Sequence, residues 1–303
     1  MTDKPVLGFI GLGLMGEPMV SRLLDSGHQV HCWARNEDKL KNSINRGAFG
    51  ASSIRELINQ CDILMLCVSD SRAISDIVLG CHGLLQSISE ELPPRLHRII
   101  DFSSIDPKTT IAVADVLKAK GIEWIDCPVS GGVAGATAGT LSIMCGGDEE
   151  AIDDSRKILS CLANKVTRMG SIGSGQMTKI CNQMIVSCNV MVMAEALAMA
   201  ESGGVDSSMI AQALGGGFAD SSVLQITGPR MANREFEDPK WHVKTLLKDL
   251  DMAVAQSQLQ ASATPMTGLA AQLMRAHALQ GNASKDPASL IACYATDSVE
   301  PLA

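Results

Sequence analysis

Val6-Leu7-Gly8-Phe9-Ile10-Gly11-Leu12-Gly13-Leu14-Met15-Gly16 is the stretch whose reading decides the fold. An apolar run runs into a glycine turn spaced GxGxxG, and a helical pattern follows at residues 17–26, stopped by Gly27. The spacing alone is common. Between a strand and a helix at the start of a domain it is the dinucleotide fingerprint. Gly11 permits the tight turn, Gly13 lets a pyrophosphate approach the backbone, and Gly16 lets helix and strand pack closely. The helix N-terminus then offers N–H groups and a positive dipole end to the phosphates. A glycine turn without a ligand is the alternative reading.

Outward from that turn the same alternation repeats. Strands are expected at residues 29–33, 63–68, 98–102, 123–127, 140–145 and 165–169, and helices at 36–46, 107–120 and 149–162. Ser52 or Ser53 is placed to cap a short helix opening with Arg55, Glu56 and Leu57. Residues 63–68 are continuously apolar, as a strand buried on both faces should be. Alternation of this kind predicts a mostly parallel, doubly wound sheet. The pattern changes near Gly170. Ser171-Ile172-Gly173-Ser174-Gly175 reads as a hinge, and beyond it only helical patterns follow, at 176–201, 207–214, 242–260, 264–280 and 287–294. The expected fold class is therefore α/β: an N-terminal doubly wound Rossmann domain (residues 1–168), then an all-α C-terminal domain (169–303), joined by a long interdomain helix.

Composition narrows the ligand class. With 25 Lys plus Arg against 33 Asp plus Glu, the net charge is -8, which suits a phosphate-backbone binder poorly. Aromatic residues make up only 3%, too few for stacking rows on single-stranded nucleic acid. The ten cysteines show no CxxC and no zinc-like spacing, so they read as reduced thiols of a cytoplasmic protein, and no metal site is expected. The charge-free run between Lys179 and Glu195 is 15 residues, shorter than a bilayer span, and reads as a buried helix. The expected partner is a small-molecule carboxylate, with neither nucleic acid nor membrane.

The end of the second strand bears on cofactor choice. Cys32-Trp33-Ala34-Arg35-Asn36 puts Ala34 where an acidic residue would hold the adenosine ribose, with Arg35 next to it. A carboxylate there would repel a 2′-phosphate, whereas Arg35 attracts one, and Lys39 is placed to assist. NADP is expected over NAD; the alternative reading has Arg35 pointing to solvent and Glu37 or Asp38 holding the ribose. Two further segments carry chemistry. Asp126-Cys127-Pro128-Val129-Ser130-Gly131-Gly132 can present successive backbone N–H groups to a carboxylate; a loop shaped only by glycine is the alternative. In Gly175-Gln176-Met177-Thr178-Lys179-Ile180-Cys181-Asn182-Gln183, helical spacing aligns Gly175, Lys179, Asn182, Gln183 and Val186 on one face. Gly175 is read as leaving room beside Lys179. An ammonium opening an apolar helix suits a general acid for carbonyl reduction, with Asn182 and Gln183 orienting it; a snorkelling structural lysine is the rival. Lys248, before Asp249, reads equally as an exposed ion-pairing residue.

Taken in order, Gly8 to Gly16 with Pro18-Met19, Asp101-Phe102-Ser103-Ser104 with Pro107, Asp126 to Gly132, the Lys179 segment and Lys248-Asp249-Leu250 resemble the β-hydroxyacid dehydrogenase family. The resemblance implies a Rossmann domain followed by a helical domain like that of 6-phosphogluconate dehydrogenase, which also mediates homodimer or homotetramer formation. It implies an active site in the cleft between the two. It makes Lys179, with Asn182 and Gln183, the catalytic group and Ser130, Gly131 and Gly132 the carboxylate grip, with Ser104 and Lys248 at cofactor-contacting positions. Gly11, Leu12, Gly13, Leu14, Met15, Gly16, Arg35, Asn36 and Val68 complete the expected cofactor contacts. Asn182-Gln183, Gly216-Gly217-Phe218-Ala219-Asp220-Ser221 and Ala292-Cys293-Tyr294 look most like the tartronate semialdehyde reductase branch. Ala34 departs from it, because that branch commonly carries an Asp there. The expected reaction is hydride transfer between NADP(H) and a short 3-hydroxy acid/semialdehyde pair, first of all tartronate semialdehyde to glycerate. The alternatives are 3-hydroxyisobutyrate, succinic semialdehyde/4-hydroxybutyrate and sugar acids. Imine reduction and a non-catalytic cofactor-binding module are the readings from other classes. Phe218, Phe236 and Trp241 are candidates for shaping the substrate pocket.

Overall fold

The computed structural model describes residues 4–88 and 95–294. Strand β1 (Leu7–Ile10) leads through the glycine turn to α1 (Gly16–Asp25) and β2 (Val30–Trp33). A 3-10 turn (Glu37–Lys39), α2 (Leu40–Asn45), β3 (Phe49–Gly50), α3 (Ile54–Gln60) and β4 (Ile63–Leu66) follow. Next come α4 (Ser71–Leu79), α5 (Leu84–Ser87), β5 (Arg98–Asp101), α6 (Pro107–Lys118), β6 (Glu123–Asp126), β7 (Val129–Ser130) and α7 (Gly132–Ala138). Strand β8 (Leu141–Gly146), α8 (Glu149–Leu159) and β9 (Ala163–Gly170) complete the α/β part. The caps follow local chemistry. The Ser53 side chain accepts from the Glu56 N–H, which satisfies one free donor of the first turn of α3, while the Glu56 carboxylate accepts from the Ser52 N–H and hydroxyl just before the cap. Asp106 caps α6, with Pro107 directly after it.

The strands form one nine-stranded sheet in the order β3-β2-β1-β4-β5-β6-β8-β7, with β9 paired to β8. Strands β1 to β6 run parallel; β8 runs antiparallel to β6 and β7. Strand order reverses between β1 and β4, which opens a crevice at the C-terminal ends of those strands. The period-2 alternation of each strand divides its apolar residues between the two faces. Leu7, Phe9, Met65, Ile100 and Ile125 enter one core, and Ile10, Leu64, Leu66, Ile99 and Trp124 the other. Fully burying one such side chain is worth about 1.5–3 kcal/mol. The thiols of Cys32, Cys61, Cys127 and Cys145 lie in these cores as well, and all ten cysteines are free.

From Ser174 to Ser202 the chain is one helix, α9, of 29 residues. It is long and apolar enough to cross a bilayer by length and composition, yet Val190, Ala194 and Leu197 are buried in a helical core. That core is completed by α10 (Ile210–Leu214), α11 (Ser222–Ala232), α12 (Val243–Leu259), α13 (Pro265–His277) and a 3-10 segment (Pro287–Cys293). No strand occurs beyond β9 among the described residues.

The chain divides into two compact units, residues 1–179 and 180–303. The expected division at 168/169 lies earlier than this by the last two residues of β9, the short connection after them and the first six residues of α9. The segment expected to be a hinge is bound tightly within the first unit. The Gly173 N–H donates to the Asp126 Oδ1 at 2.8 Å, the Gln176 N–H donates to its Oδ2 at 2.9 Å, and Gln176 is fully buried.

Candidate active site

In the first unit the glycine turn is shaped on one side and open on the other. Gly11 has φ +107°, and a Cβ there would run into the Cys67 carbonyl; one on Gly16 would strike the Gly11 carbonyl. A Cβ on Gly13 meets nothing within 4 Å. Leu12 turns its side chain into the core, Leu14 is exposed and Met15 is half-buried. No side chain caps α1; the Glu17 N–H donates to the Gly13 carbonyl at 3.0 Å, Pro18 carries no N–H, and the dipole end of the helix faces the turn. A pocket of about 440 Å³ lies past the end of β2, lined by Trp33, Ala34, Arg35, Glu37, Leu40 and Lys41, among others, so that it carries two cationic side chains and one carboxylate. An open glycine, an uncapped helix start and a pocket carrying Arg35 fit a dinucleotide. Lys39, expected to assist Arg35, is exposed and absent from this lining; Lys41, two residues on, lines it instead and pairs with Asp38 at 2.6 Å. Lys39 ends the short 3-10 turn that starts at Glu37. The Asn36 side chain caps that turn, accepting from the Asp38 N–H at 2.9 Å.

A second set of residues gathers at the ends of β4, β5 and β6. The Val68 N–H donates to the Ser103 Oγ at 2.9 Å, and the Ser103 N–H donates to the Asp101 Oδ1 at 2.9 Å. Asp101 is fully buried, and burial pushes its carboxyl up to about 7 despite the Ser103 contacts. Burial also raises Asp126 to about 6, against the pull of the backbone N–H groups of Gly173, Gln176 and Gly175. The Gln176 side chain closes the set: its Nε2 donates to the Ser103 carbonyl at 2.8 Å and its Oε1 accepts from the Ile105 N–H at 3.2 Å. Ser104, between those two residues, is half-buried. Lys179 follows Gln176 by three residues, about 4.5 Å of helical rise, in the same unit. Gly175 does not leave room beside Lys179. Its missing Cβ is replaced by the Met144 carbonyl and by Asp126, whose Oδ2 would lie 2.8 Å away. In the segment expected to grip a carboxylate, Ser130 ends β7, Gly131 with φ +131° precedes α7, Gly132 with φ +60° is its first residue, and both glycines are exposed.

In the second unit, Asn182, Gln183 and Lys248 join through a residue that sequence reading did not single out. The Asn182 Nδ2 donates to the Gln183 Oε1 at 2.8 Å, and the Gln183 Nε2 donates to the Asp249 Oδ2 at 2.5 Å. Lys248 Nζ lies 3.3 Å from the Asp249 Oδ1. Asp249 is only 3% exposed, and its position seven residues into an amphipathic helix was the available signal of burial. Phe218 projects fully into solvent from the loop before α11, whereas Phe236 and Trp241 pack against the helical core.

A reversed strand order beside β1, a glycine turn open at Gly13 and an α1 without a side-chain cap mark a dinucleotide-binding fold. Residues 6–170 match the family described as the NAD binding domain of 6-phosphogluconate dehydrogenase. Residues 173–294 match the one described as NAD-binding of NADP-dependent 3-hydroxyisobutyrate dehydrogenase. A 2-hydroxy-3-oxopropionate reductase of Escherichia coli (strain K12) is 34% identical, over 94% of this chain and 95% of its own. A 3-hydroxyisobutyrate dehydrogenase of Pseudomonas aeruginosa (strain PAO1) is also 34% identical, over 92% and 93%. The solved structure of Mycobacterium tuberculosis 3-hydroxyisobutyrate dehydrogenase with L-serine superposes with a TM-score of 0.84 at 25% identity, over 96% of this chain and 99% of that one. The chain belongs to the β-hydroxyacid dehydrogenase family and is an NAD(P)-dependent hydroxyacid dehydrogenase.

Proposed function

We propose that this enzyme reduces tartronate semialdehyde to glycerate with NADPH, with Lys179 as the proton donor. The observation that carries this reading is the location of Lys179. It stands one turn beyond Gln176, in the unit that holds the glycine turn and the Val68 and Ser104 backbone. Gly11 to Gly16 and the N-terminus of α1 receive the pyrophosphate, and Arg35 with Asn36 receives the adenosine ribose phosphate. Val68, Ser104 and Lys248 contact the nicotinamide half. When bound, the reduced nicotinamide supplies the hydride. Ser130, Gly131 and Gly132 hold the substrate carboxylate through backbone N–H groups and the serine hydroxyl. Lys179 hydrogen-bonds the aldehyde oxygen. As that oxygen gains the carbon–oxygen electron pair, Lys179 gives it a proton, leaving a neutral amine and an alcohol. Asn182 and Gln183, the latter braced by Asp249, orient the lysine and the substrate hydroxyl.

The substrate rests on likeness to the 34%-identical 2-hydroxy-3-oxopropionate reductase together with Gln183. The equal identity to a 3-hydroxyisobutyrate dehydrogenase makes that acid the competing substrate. The NADP preference rests on Ala34, Arg35 and Lys41 in the β2 pocket. Self-association is supported by Ile185, Val192 and Met199, which are 64%, 56% and 80% exposed and fall seven residues apart on α9, forming an apolar stripe suited to a second copy. Ten free thiols suit a reducing, cytoplasmic compartment.

The test is steady-state kinetics on tartronate semialdehyde, 3-hydroxyisobutyrate, succinic semialdehyde and sugar acids with both cofactors, for the parent and Lys179→Ala. Tartronate semialdehyde with NADPH should give the highest kcat/KM. Lys179→Ala should lose roughly 10²–10⁴-fold in kcat while still binding NADPH. Undiminished turnover by that variant removes the mechanism; a higher kcat/KM for another acid, or for NADH, removes the corresponding assignment.

A further inference from the structure

Three buried contacts meet at the start of α9, where Asp126 supplies an acceptor for a first-turn N–H and Gln176 reaches a separate loop. The Asp126 carboxylate, at the end of β6, accepts the N–H groups of Gly173 and Gln176. The Gln176 amide bridges the backbone of the β5–α6 loop, donating to Ser103 and accepting from Ile105. Gly146 and Gly175 lack the side chains that would hold these groups apart. A Cβ on Gly146 would lie 2.6 and 2.7 Å from the Asp126 carboxylate oxygens, and one on Gly175 would lie 2.8 Å from its Oδ2. The same β5–α6 loop reaches back through the Ser103 hydroxyl to the Val68 N–H at 2.9 Å. One hydrogen-bonded path thus runs from the end of β4 through Ser103 to Gln176, one helical turn before Lys179.

We propose that Gln176, seated by Asp126, is a positioning residue for Lys179, setting the height of the lysine above the Val68 and Ser104 backbone. This deepens the proposed role of Lys179 and rests on it. An exposed loop would leave the start of α9 free to shift by a fraction of an ångström, and proton transfer to a developing alkoxide does not tolerate that. A misplacement of about 1 Å costs on the order of 10²-fold in rate. Gln176 suits the task because its side chain is fully buried and both ends of its amide are engaged by backbone groups that cannot swing away. Raised carboxyls at Asp126 and Asp101 agree with a water-excluded setting in which such bonds are strong.

The experiment is a double-mutant cycle on the full-length enzyme. Gln176→Met keeps the length of the side chain and removes both hydrogen bonds. It is made alone and with Lys179→Ala, and read as kcat, KM, the pH profile of kcat and NADPH affinity. The expected result for Gln176→Met is a 10- to 100-fold fall in kcat. NADPH affinity should stay within about twofold and the lysine-dependent limb of the pH profile should shift. In the Lys179→Ala background the cost of Gln176→Met should shrink below about twofold, since there is no ammonium left to position. An equal cost in both backgrounds, or an unchanged kcat, overturns the proposal while leaving the catalytic role of Lys179 standing. A Lys179→Ala enzyme that turns over normally shows that the underlying reading itself has failed, and this one with it. Should Gln176→Met not fold, Gln176→Glu replaces it. Its carboxyl can donate to the Ser103 carbonyl only when protonated, so its kcat relative to the parent should rise as pH falls. A pH-independent ratio overturns the proposal.

Discussion

Two glycine-rich turns, Gly11 to Gly16 and Gly170 to Gly175, look alike in sequence and do opposite work. In the first, Gly13 leaves a space that no protein atom enters within 4 Å, while Gly11 and Gly16 allow the turn that frames it. In the second, the space that Gly175 leaves is filled by the Met144 carbonyl and Asp126, and Gly173 donates its N–H to the same carboxylate. One turn is open toward a ligand; the other is packed by the protein itself. Composition cannot separate them, because the absence of a side chain is informative only once the neighbouring atoms are known.

The comparison breaks most visibly by filling the packed side. Gly175→Val forces a branched side chain against backbone, and should cost about 3 kcal/mol, roughly 6–12 °C in Tm by calorimetry. A Tm within 2 °C of the parent would mean that the second turn is as open as the first. The opposite substitution is milder for the fold and specific for the ligand. Gly13→Ala should leave Tm within about 1 °C and weaken NADPH binding roughly tenfold, about 1.4 kcal/mol by isothermal titration. Lost stability with unchanged affinity would reverse the assignment of the two turns.

The smallest effect concerns pH on the packed side. Asp101 has its carboxyl raised from 3.8 to about 7 by burial, so the folded chain holds its proton more tightly than the unfolded chain. Its contribution is fully present below about pH 4 and is lost as pH rises through about 7. Asp101→Asn keeps an acceptor for the Ser103 N–H and does not titrate. Between pH 5 and 8, urea midpoints of the variant should fall less than those of the parent; parallel slopes would remove Asp101 from the account.

Much of this was legible from residues. The β1 turn, the α3 cap at Ser53, Pro107 at the start of α6 and the change to helices after Gly170 all rest on local chemistry, and local chemistry survives folding. What was missed depends on long-range packing. Helix α7, with the sequence Gly132-Val133-Ala134-Gly135-Ala136-Thr137-Ala138, has no apolar period of its own and stands because Gly135 fits against Leu141. Helix α11 contains Gly228-Pro229, which reads as a break; Pro229 lies inside the helix, where it cannot donate to the Gln225 carbonyl one turn before it. Around the candidate site, Lys179 drew notice in the sequence because an ammonium opening an apolar helix is unusual. Asp126, Gln176 and Asp249 were not, since their roles depend on partners 47 to 73 residues away, or on Gln183 at a separation of 66.

The distribution of the thiols has a practical consequence. Burial holds Cys32, Cys61 and Cys67 up to about 12, so they are inert as nucleophiles near neutral pH, while Cys81, Cys181 and Cys293 face solvent. A native population and an unfolding one therefore differ in the number of sulfurs a maleimide can label. The buried thiols all lie in the first unit, so the protein carries its own clock for opening of that unit: mass-resolved labelling rates would time how often it exposes its interior, without any dye or added tag.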